Sequence, residues 1–167
     1  MDTTFDIWNE EKKIIENNLI DPTAFPQVGE VWIGVLGKNI GREQNGIGEN
    51  FLRPLLVVKK FNNEIFWIVP LSTKQKQIDY YYNFTDQTDQ KVSAVLAQMR
   101  LVHIKRFKRK LYDFNAEDME NVKRQLRQYL GEKLEEKQGE REEELVKIET
   151  PPSLVGNLGA PEGHCVS

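Results

Sequence analysis

An arginine at the junction of a loop and a strand is the residue of this chain best placed for chemistry. Arg53 follows the glycine-punctuated stretch 41–52, GREQNGIGENFL, and precedes Pro54 and the apolar run Leu55-Leu56-Val57-Val58. Gly41, Gly46 and Gly48 give the backbone freedom that other residues resist, and the apolar run reads as a buried strand. Loops held by a rigid scaffold are where binding chemistry concentrates. Three further polar features fall at strand ends or in loops: Ser72-Thr73, Gln98 with Arg100, and the basic run KRFKRK from Lys105 to Lys110. Guanidinium groups near hydroxyls suit a phosphodiester. Arginine can hold a phosphate bidentately, and fixed positive charge stabilises the extra negative charge of a pentacoordinate transition state. A hydroxyl can donate to a phosphate oxygen or relay a proton. RNA also brings its own nucleophile, the 2′-hydroxyl, so its cleavage requires neither a metal nor a protein nucleophile.

Each feature also has an ordinary reading. Arg53 suits a surface ion pair, Ser72-Thr73 a turn, and the basic run a solvated edge strand protected against aggregation. His103 reads as a half-buried strand residue. It has no second histidine to work with, since His164 lies near the end of the chain.

The elements that must position these residues follow from composition and periodicity. With 167 residues, 39% apolar, the chain can hold one domain with a core plus appendages. No apolar run approaches the roughly 20 residues of a membrane helix. The N-terminus, MDTTFDIWNEEKK, is acidic and amphipathic, unlike a secretory signal. The single cysteine, Cys165, cannot form an internal disulfide, and it makes no zinc-ligand spacing with the two histidines. A reducing cytoplasm is the expected compartment, with no membrane partner, metal or cofactor.

Residues 5–16 place Phe5, Trp8 and Ile15 near one helical face, with Ile7 and Ile14 beside it, as in a short amphipathic helix covering the core. Strands are expected at 29–36, 53–61, 64–71, 79–84, 92–101 and 110–114. The 37–52 loop is long for a hairpin connection, whereas Asn62-Asn63 makes a tight turn. Asn115 reads as an N-cap, followed by Met119, Val122, Leu126 and Tyr129/Leu130 at helical spacing. The expected fold is mainly β with α: a small, strongly bent, SH3-like β-barrel with a C-terminal helix and a short N-terminal one.

The order GEVW, GREQNG, RPLLVV, IVPLST, VLAQMRL, a Lys/Arg run and a helix, spanning about residues 29–130, resembles the MazF/PemK family of toxin endoribonucleases from bacterial type II toxin–antitoxin systems. The resemblance implies a MazF/CcdB-like SH3-type barrel, usually a homodimer. It also implies metal-independent cleavage of single-stranded mRNA at short sequences, leaving a 2′,3′-cyclic phosphate and a 5′-hydroxyl. A cognate antitoxin would neutralise the enzyme, and their complex could bind operator DNA. Arg53 matches the family's catalytic arginine, and Ser72, or Thr73 one place on, its catalytic hydroxyl. RNA contacts are implied for Arg42, Glu43 and Gln44 in the loop, for Gln98 and Arg100, and for Lys105, Arg106, Lys108 and Arg109. Tyr80, Tyr81 and Phe84 offer rings on which bases could stack. Two departures stand out: an insertion at 47–52, and Ala97 where many relatives carry an acidic residue. The competing class is a non-catalytic SH3-like module binding RNA, a peptide or gyrase.

The chain thus divides into a helical extension at 1–28, a barrel domain at 29–130 and a tail at 131–167. Residues 1–130 carry 19 Lys and Arg against 17 Asp and Glu, whereas residues 131–167 carry 4 against 9. The tail reads as a frayed helix followed by disorder, and its ordinary reading is a solvated appendage. A sharper reading is that the acidic stretch 132–149 competes with RNA for a basic groove, its tether holding it at about millimolar effective concentration. That reading predicts faster RNA cleavage by a chain ending at Leu130, most clearly at low salt, where attraction is least screened. Equal rates for the truncated and full-length proteins would leave the tail without an inhibitory role.

Overall fold

The computed structural model describes residues 3–20 and 25–131, so the tail expected at 131–167 lies, but for Gly131, outside the described residues. The elements are α1 (Thr4–Asn17), β1 (Glu30–Val35), β2 (Leu52–Lys60), β3 (Ile65–Ser72), β4 (Tyr81–Thr85), β5 (Lys91–Val95), β6 (Arg100–His103), β7 (Phe107–Asp113) and α2 (Ala116–Tyr129). The strands form a seven-stranded sheet in the order β4-β5-β3-β2-β1-β7, with β6 also paired to β3. All these pairings are antiparallel. This is the expected mainly-β class with a helix at each end. The sheet is bent as in a small barrel, but its hydrogen-bonded path is open, ending at β4 and β7.

The run after Arg53 is apolar without alternation because both faces of β2 are covered. Leu56 and Val58 join a core cluster with Val31, Val69, Leu71, Phe84 and, from α2, Met119 and Val122. Leu55 and Val57 point the other way, into a cluster with Trp32, Leu36, Phe66, Ile68, Val102, Ile104 and Phe107. A third, smaller cluster joins Trp8 and Ile15 of α1 to Val35 and Phe51. As expected, Asn115 caps α2. Its side-chain oxygen accepts from the amides of Glu117 and Asp118, satisfying two of the helix's open N–H groups.

β3 shapes the sheet by changing partner along its length. On one edge, Phe66–Pro70 pair with β2. On the other edge, Ile65–Ile68 pair with β6, whereas Leu71 and Ser72 pair with Ala94 and Ser93 of β5. The single strand expected at 92–101 is accordingly broken by a 3₁₀ turn, Leu96–Gln98, which carries the chain from one segment of pairing to the other. No glycine or proline marks that break. The turn is held instead by the Leu96 amide on the Tyr80 carbonyl, at 2.8 Å. β4 begins at Tyr81, two residues later than expected, and β7 runs from Phe107 to Asp113, beginning three residues before the strand expected at 110–114 and ending one residue short of it.

The α2 stripe also ends sooner than its spacing suggests. Met119 and Val122 are buried and Leu126 packs against their cluster, but Leu130 is 71% exposed and Tyr129 about half exposed. Leu56→Ala should therefore lower stability by about 2–5 kcal/mol, the usual range for truncating a fully buried leucine. Leu130→Ala should stay within about 0.5 kcal/mol of the parent. Urea unfolding followed by circular dichroism checks both.

Candidate active site

Arg53 is the second residue of β2 and pairs with Gly34 of β1. Its side chain is buried and tied by two backbone carbonyls. Nε donates to Asn45 O at 2.6 Å, and Nη1 donates to Leu71 O at 2.9 Å. Burial pushes the guanidinium below its ordinary pKa, with Tyr81 acting the other way, yet an arginine remains a cation at neutral pH. Among the described residues no carboxylate forms an ion pair with Arg53, and Nη2 makes no hydrogen bond. A buried cation without a counter-charge is held at a cost that a bound anion would relieve.

The guanidinium borders a cavity of about 500 Å³ whose lining includes Ser72, Thr73, Lys74, Lys76, Tyr81 and Tyr112. Ser72 is the last residue of β3, Arg53 reaches the carbonyl just before it, and both residues line the same cavity. Ser72 is partly buried, and its Oγ accepts from the Lys74 amide at 3.2 Å; Thr73 is exposed. Behind Ser72 stands a residue that sequence reasoning missed. Ser93, fully buried on β5, pairs in register with Ser72 on one side and Asn83 on the other. Its hydroxyl donates to Asn83 Oδ1 at 2.5 Å, and Asn83 Nδ2 donates to Lys76 O at 2.9 Å. The pair thus anchors the segment that carries both cavity lysines. A lone serine in a strand gives no sequence signal for such a role.

Asp86 and Gln90 also line the cavity. Slight burial raises the Asp86 carboxyl, but hydrogen bonds from Thr88 and the Gln90 amide outweigh it and leave the pKa lowered. Asp86 is therefore an anion at neutral pH and a weak base. Burial, helped by the charge of Asp86, pushes Tyr112 up to about 12, so its phenol keeps its proton. Among the described residues no group of three His, Cys, Asp or Glu side chains is placed to hold a metal ion.

The loop before Arg53 is held by polar residues named above as RNA contacts. Gln98 accepts from the Gln44 amide at 3.2 Å and donates to Arg42 O at 3.4 Å. Arg100 donates to Asn39 Oδ1 at 3.3 Å, while Asn39 bonds to Asn45 Oδ1 and Gln44 O. Gln44, Gln98 and Arg100 are thus brought together around the loop, with Gln44 in the cavity wall, and Arg42 and Glu43 stand exposed on the loop's outside. The 47–52 insertion closes on itself through paired hydrogen bonds between Ile47 and Leu52.

The basic run is divided, and none of Lys105, Arg106, Lys108 or Arg109 lines the Arg53 cavity. Lys105 bonds to the backbone of Glu16 in α1 and lies 3.7 Å from its carboxylate. Arg106 donates to Val35 O at 3.1 Å and lies over the Trp8 ring. Lys108 and Arg109 are exposed on β7, an edge strand. Of the aromatic residues, Phe84 belongs to the core and offers no stacking surface, Tyr80 is exposed, and Tyr81 lines the cavity beneath Lys76. His103 is partly buried, as expected, with Nδ1 accepting from the Lys105 amide.

Comparison with known proteins gives a family and a fold. Residues 27–130 match the family described as PemK-like, MazF-like toxin of type II toxin–antitoxin system. Among solved structures, MazF (Form-I) from Deinococcus radiodurans is similar with a TM-score of 0.54 at 17% identity, covering 65% of this chain and 98% of that one. The MazE–MazF structure (Form-II) from the same organism gives 0.52, with the same identity and coverage. No curated protein matches the chain in sequence.

The raised Tyr112 group has a consequence for alkaline pH. Since its folded value lies above the ordinary 10.0, its contribution to stability is intact below pH 10 and is lost as pH rises through about 12. In a titration followed by tyrosinate absorbance, Tyr112→Phe should remove a late step, close to pH 12. Loss of an ordinary step near the unperturbed tyrosine value would contradict this placement.

Proposed function

Because this chain belongs to the PemK-like, MazF-like toxins of type II toxin–antitoxin systems, we propose that it is an endoribonuclease that cleaves single-stranded mRNA without a metal ion. The observation that carries the reading is Arg53. It is a buried guanidinium with no carboxylate partner among the described residues, and it is fixed by two carbonyls at the edge of a cavity that Ser72 also lines. Such a group is preorganised for an anion whose charge grows during reaction.

The chemistry follows from the substrate. The RNA 2′-oxygen attacks the adjacent phosphorus, its proton departs, and the P–O5′ bond breaks as the 5′-oxygen gains a proton. The products are a 2′,3′-cyclic phosphate and a 5′-hydroxyl. Arg53 stabilises the pentacoordinate phosphorane, and Ser72 donates to a phosphate oxygen or relays a proton. Thr73, one place on, is the alternative hydroxyl. Lys74 and Lys76 add positive charge at the same cavity. The loop residues Arg42, Glu43 and Gln44, with Gln98 and Arg100, form the surface along which RNA runs. Lys105, Arg106, Lys108 and Arg109 contribute at most a phosphate-attracting field from outside the cavity. The working enzyme is a cytoplasmic homodimer held inactive by a cognate antitoxin, and the complex of the two binds operator DNA.

Arg53→Ala should reduce cleavage of an RNA oligonucleotide in the presence of EDTA by about 10²-fold or more, with the circular dichroism spectrum unchanged. Ser72→Ala should lose most activity and Thr73→Ala less, since Ser72 adjoins the carbonyl that Arg53 grips. Undiminished cleavage by folded Arg53→Ala would overturn the catalytic assignment. RNA binding without cleavage by the wild-type protein would favour the non-catalytic module.

A further inference from the structure

Helix α1 lies outside the residues that match the family, yet it is built into the support of Arg53. We infer that Trp8 is a positioning residue of the site: its indole, wedged between Gly37 and Phe51, clamps the loop whose Asn45 carbonyl holds the Arg53 side chain. What Arg53 then does rests on the endoribonuclease reading above. How it is held does not.

The path from Trp8 to Arg53 is continuous. The Trp8 ring meets the Phe51 ring at a centroid separation of 5.3 Å. It also lies so close to Gly37 that a Cβ there would sit 2.3 Å from the indole, so only glycine fits beneath it. Phe51 has φ of 51°, a left-handed conformation that costs a non-glycine residue about 1–3 kcal/mol unless its surroundings impose it. The Trp8 contact is one such restraint. The Phe51 carbonyl, accepting from Leu36 N at 2.9 Å, is another. The Phe51 backbone in turn packs on Gly46, where a Cβ would fall 1.8 Å from Phe51 O. Gly46 is fixed from its other side by its amide on Gly37 O, at 2.8 Å. Its neighbour Asn45 supplies the carbonyl that accepts from Arg53 Nε. Trp8 thus touches both arms of the loop where they come together.

A helix that merely covered the core would pack on residues of the two main clusters. Trp8 and Ile15 pack instead on Val35, Phe51 and Leu52, the last two being the residues just before Arg53. The helix is also pinned from the far side. Arg106 lies 5.5 Å from the centre of the Trp8 ring while holding Val35 O, and Lys105 bonds to the backbone of Glu16. Two members of the basic run are therefore spent on seating α1.

The test uses the full chain and two readouts. The Arg53 Nε–H is located in a proton–nitrogen correlation spectrum as the side-chain signal that Arg53→Lys removes, and its exchange with solvent is followed. Steady-state cleavage of an RNA oligonucleotide is measured in parallel. In Trp8→Ala the Nε–H should exchange at least tenfold faster. Its kcat should fall tenfold to a hundredfold with KM little changed, on the order of what a misplacement of about 1 Å costs. Trp8→Phe should restore most of both. Met119→Ala, an equally buried truncation under α2, should lower stability but move neither readout. Where Trp8→Ala does not fold, Trp8→Leu takes its place. Unchanged Nε–H exchange in the folded Trp8 variant would overturn the inference. If exchange quickens but the wild-type protein cuts no RNA, the positioning role stands and the endoribonuclease reading falls.

Discussion

The paired hydrogen bonds of the Arg53 guanidinium are the constraint on which the site depends. One reaches the Asn45 carbonyl in the loop and the other the Leu71 carbonyl at the end of β3. A single planar group thereby ties an irregular segment to the most connected strand of the sheet. Because guanidinium geometry is rigid, fixing Nε and Nη1 also fixes the direction of the remaining nitrogen. The opposite residue on β1 is Gly34, so no side chain stands across the ladder from Arg53. The loop and the end of β3 are thus aligned by the same side chain that faces the cavity.

β3 supplies the other half of the alignment. By pairing with β6 and then β5, it ends exactly where Ser72 can lie in register with Ser93 and Asn83. Those two residues hold the backbone leaving β3, and through it the lysines of the cavity. The antiparallel register thus sets the position of Ser72 at the end of its strand. The break in the partner strand at Leu96–Gln98 belongs to the same arrangement, for that turn also presents Gln98 to the loop.

What was legible in the sequence was whatever a short window contains. The non-alternating Leu55–Val58 run reported a strand covered on both faces, Asn115 reported a cap, and the glycines around GREQNG reported an irregular loop ending at Arg53. The misses are places where distant partners decide. Nothing within VSAVLAQMRL tells that its two halves pair with different parts of β3. The spacing of Tyr129 and Leu130 continues the α2 stripe, but both residues stand exposed, and the Tyr129 hydroxyl reaches the Asp79 carbonyl. Phe84 looked free to stack because its strand was read without the helix that covers it. Gln98, Arg100, Lys105 and Arg106 were visible as polar residues. Their hydrogen bonds to the loop, to β1 and to α1 join segments from 54 to 89 residues apart, which no local pattern encodes.

Arg53 and Arg106 make an instructive pair, because both guanidinium groups are pulled below their ordinary pKa first by burial and neither has a carboxylate partner among the described residues. Their surroundings nevertheless differ in kind. Arg106 has the Val35 carbonyl and the face of Trp8, and an aromatic quadrupole is a genuine partner for a cation that has left water. Its charge is occupied in joining α1 to the sheet. Arg53 has two carbonyls, no ring over it among the described residues, and an open cavity carrying further lysines and a hydroxyl. Two arginines of equal formal charge therefore divide the labour: one is spent on joining elements of the fold, the other is held in place by the fold facing a cavity, with no carboxylate partner among the described residues. The same indole that stabilises the first packs on the loop that holds the second, so both arginines are supported through a single side chain.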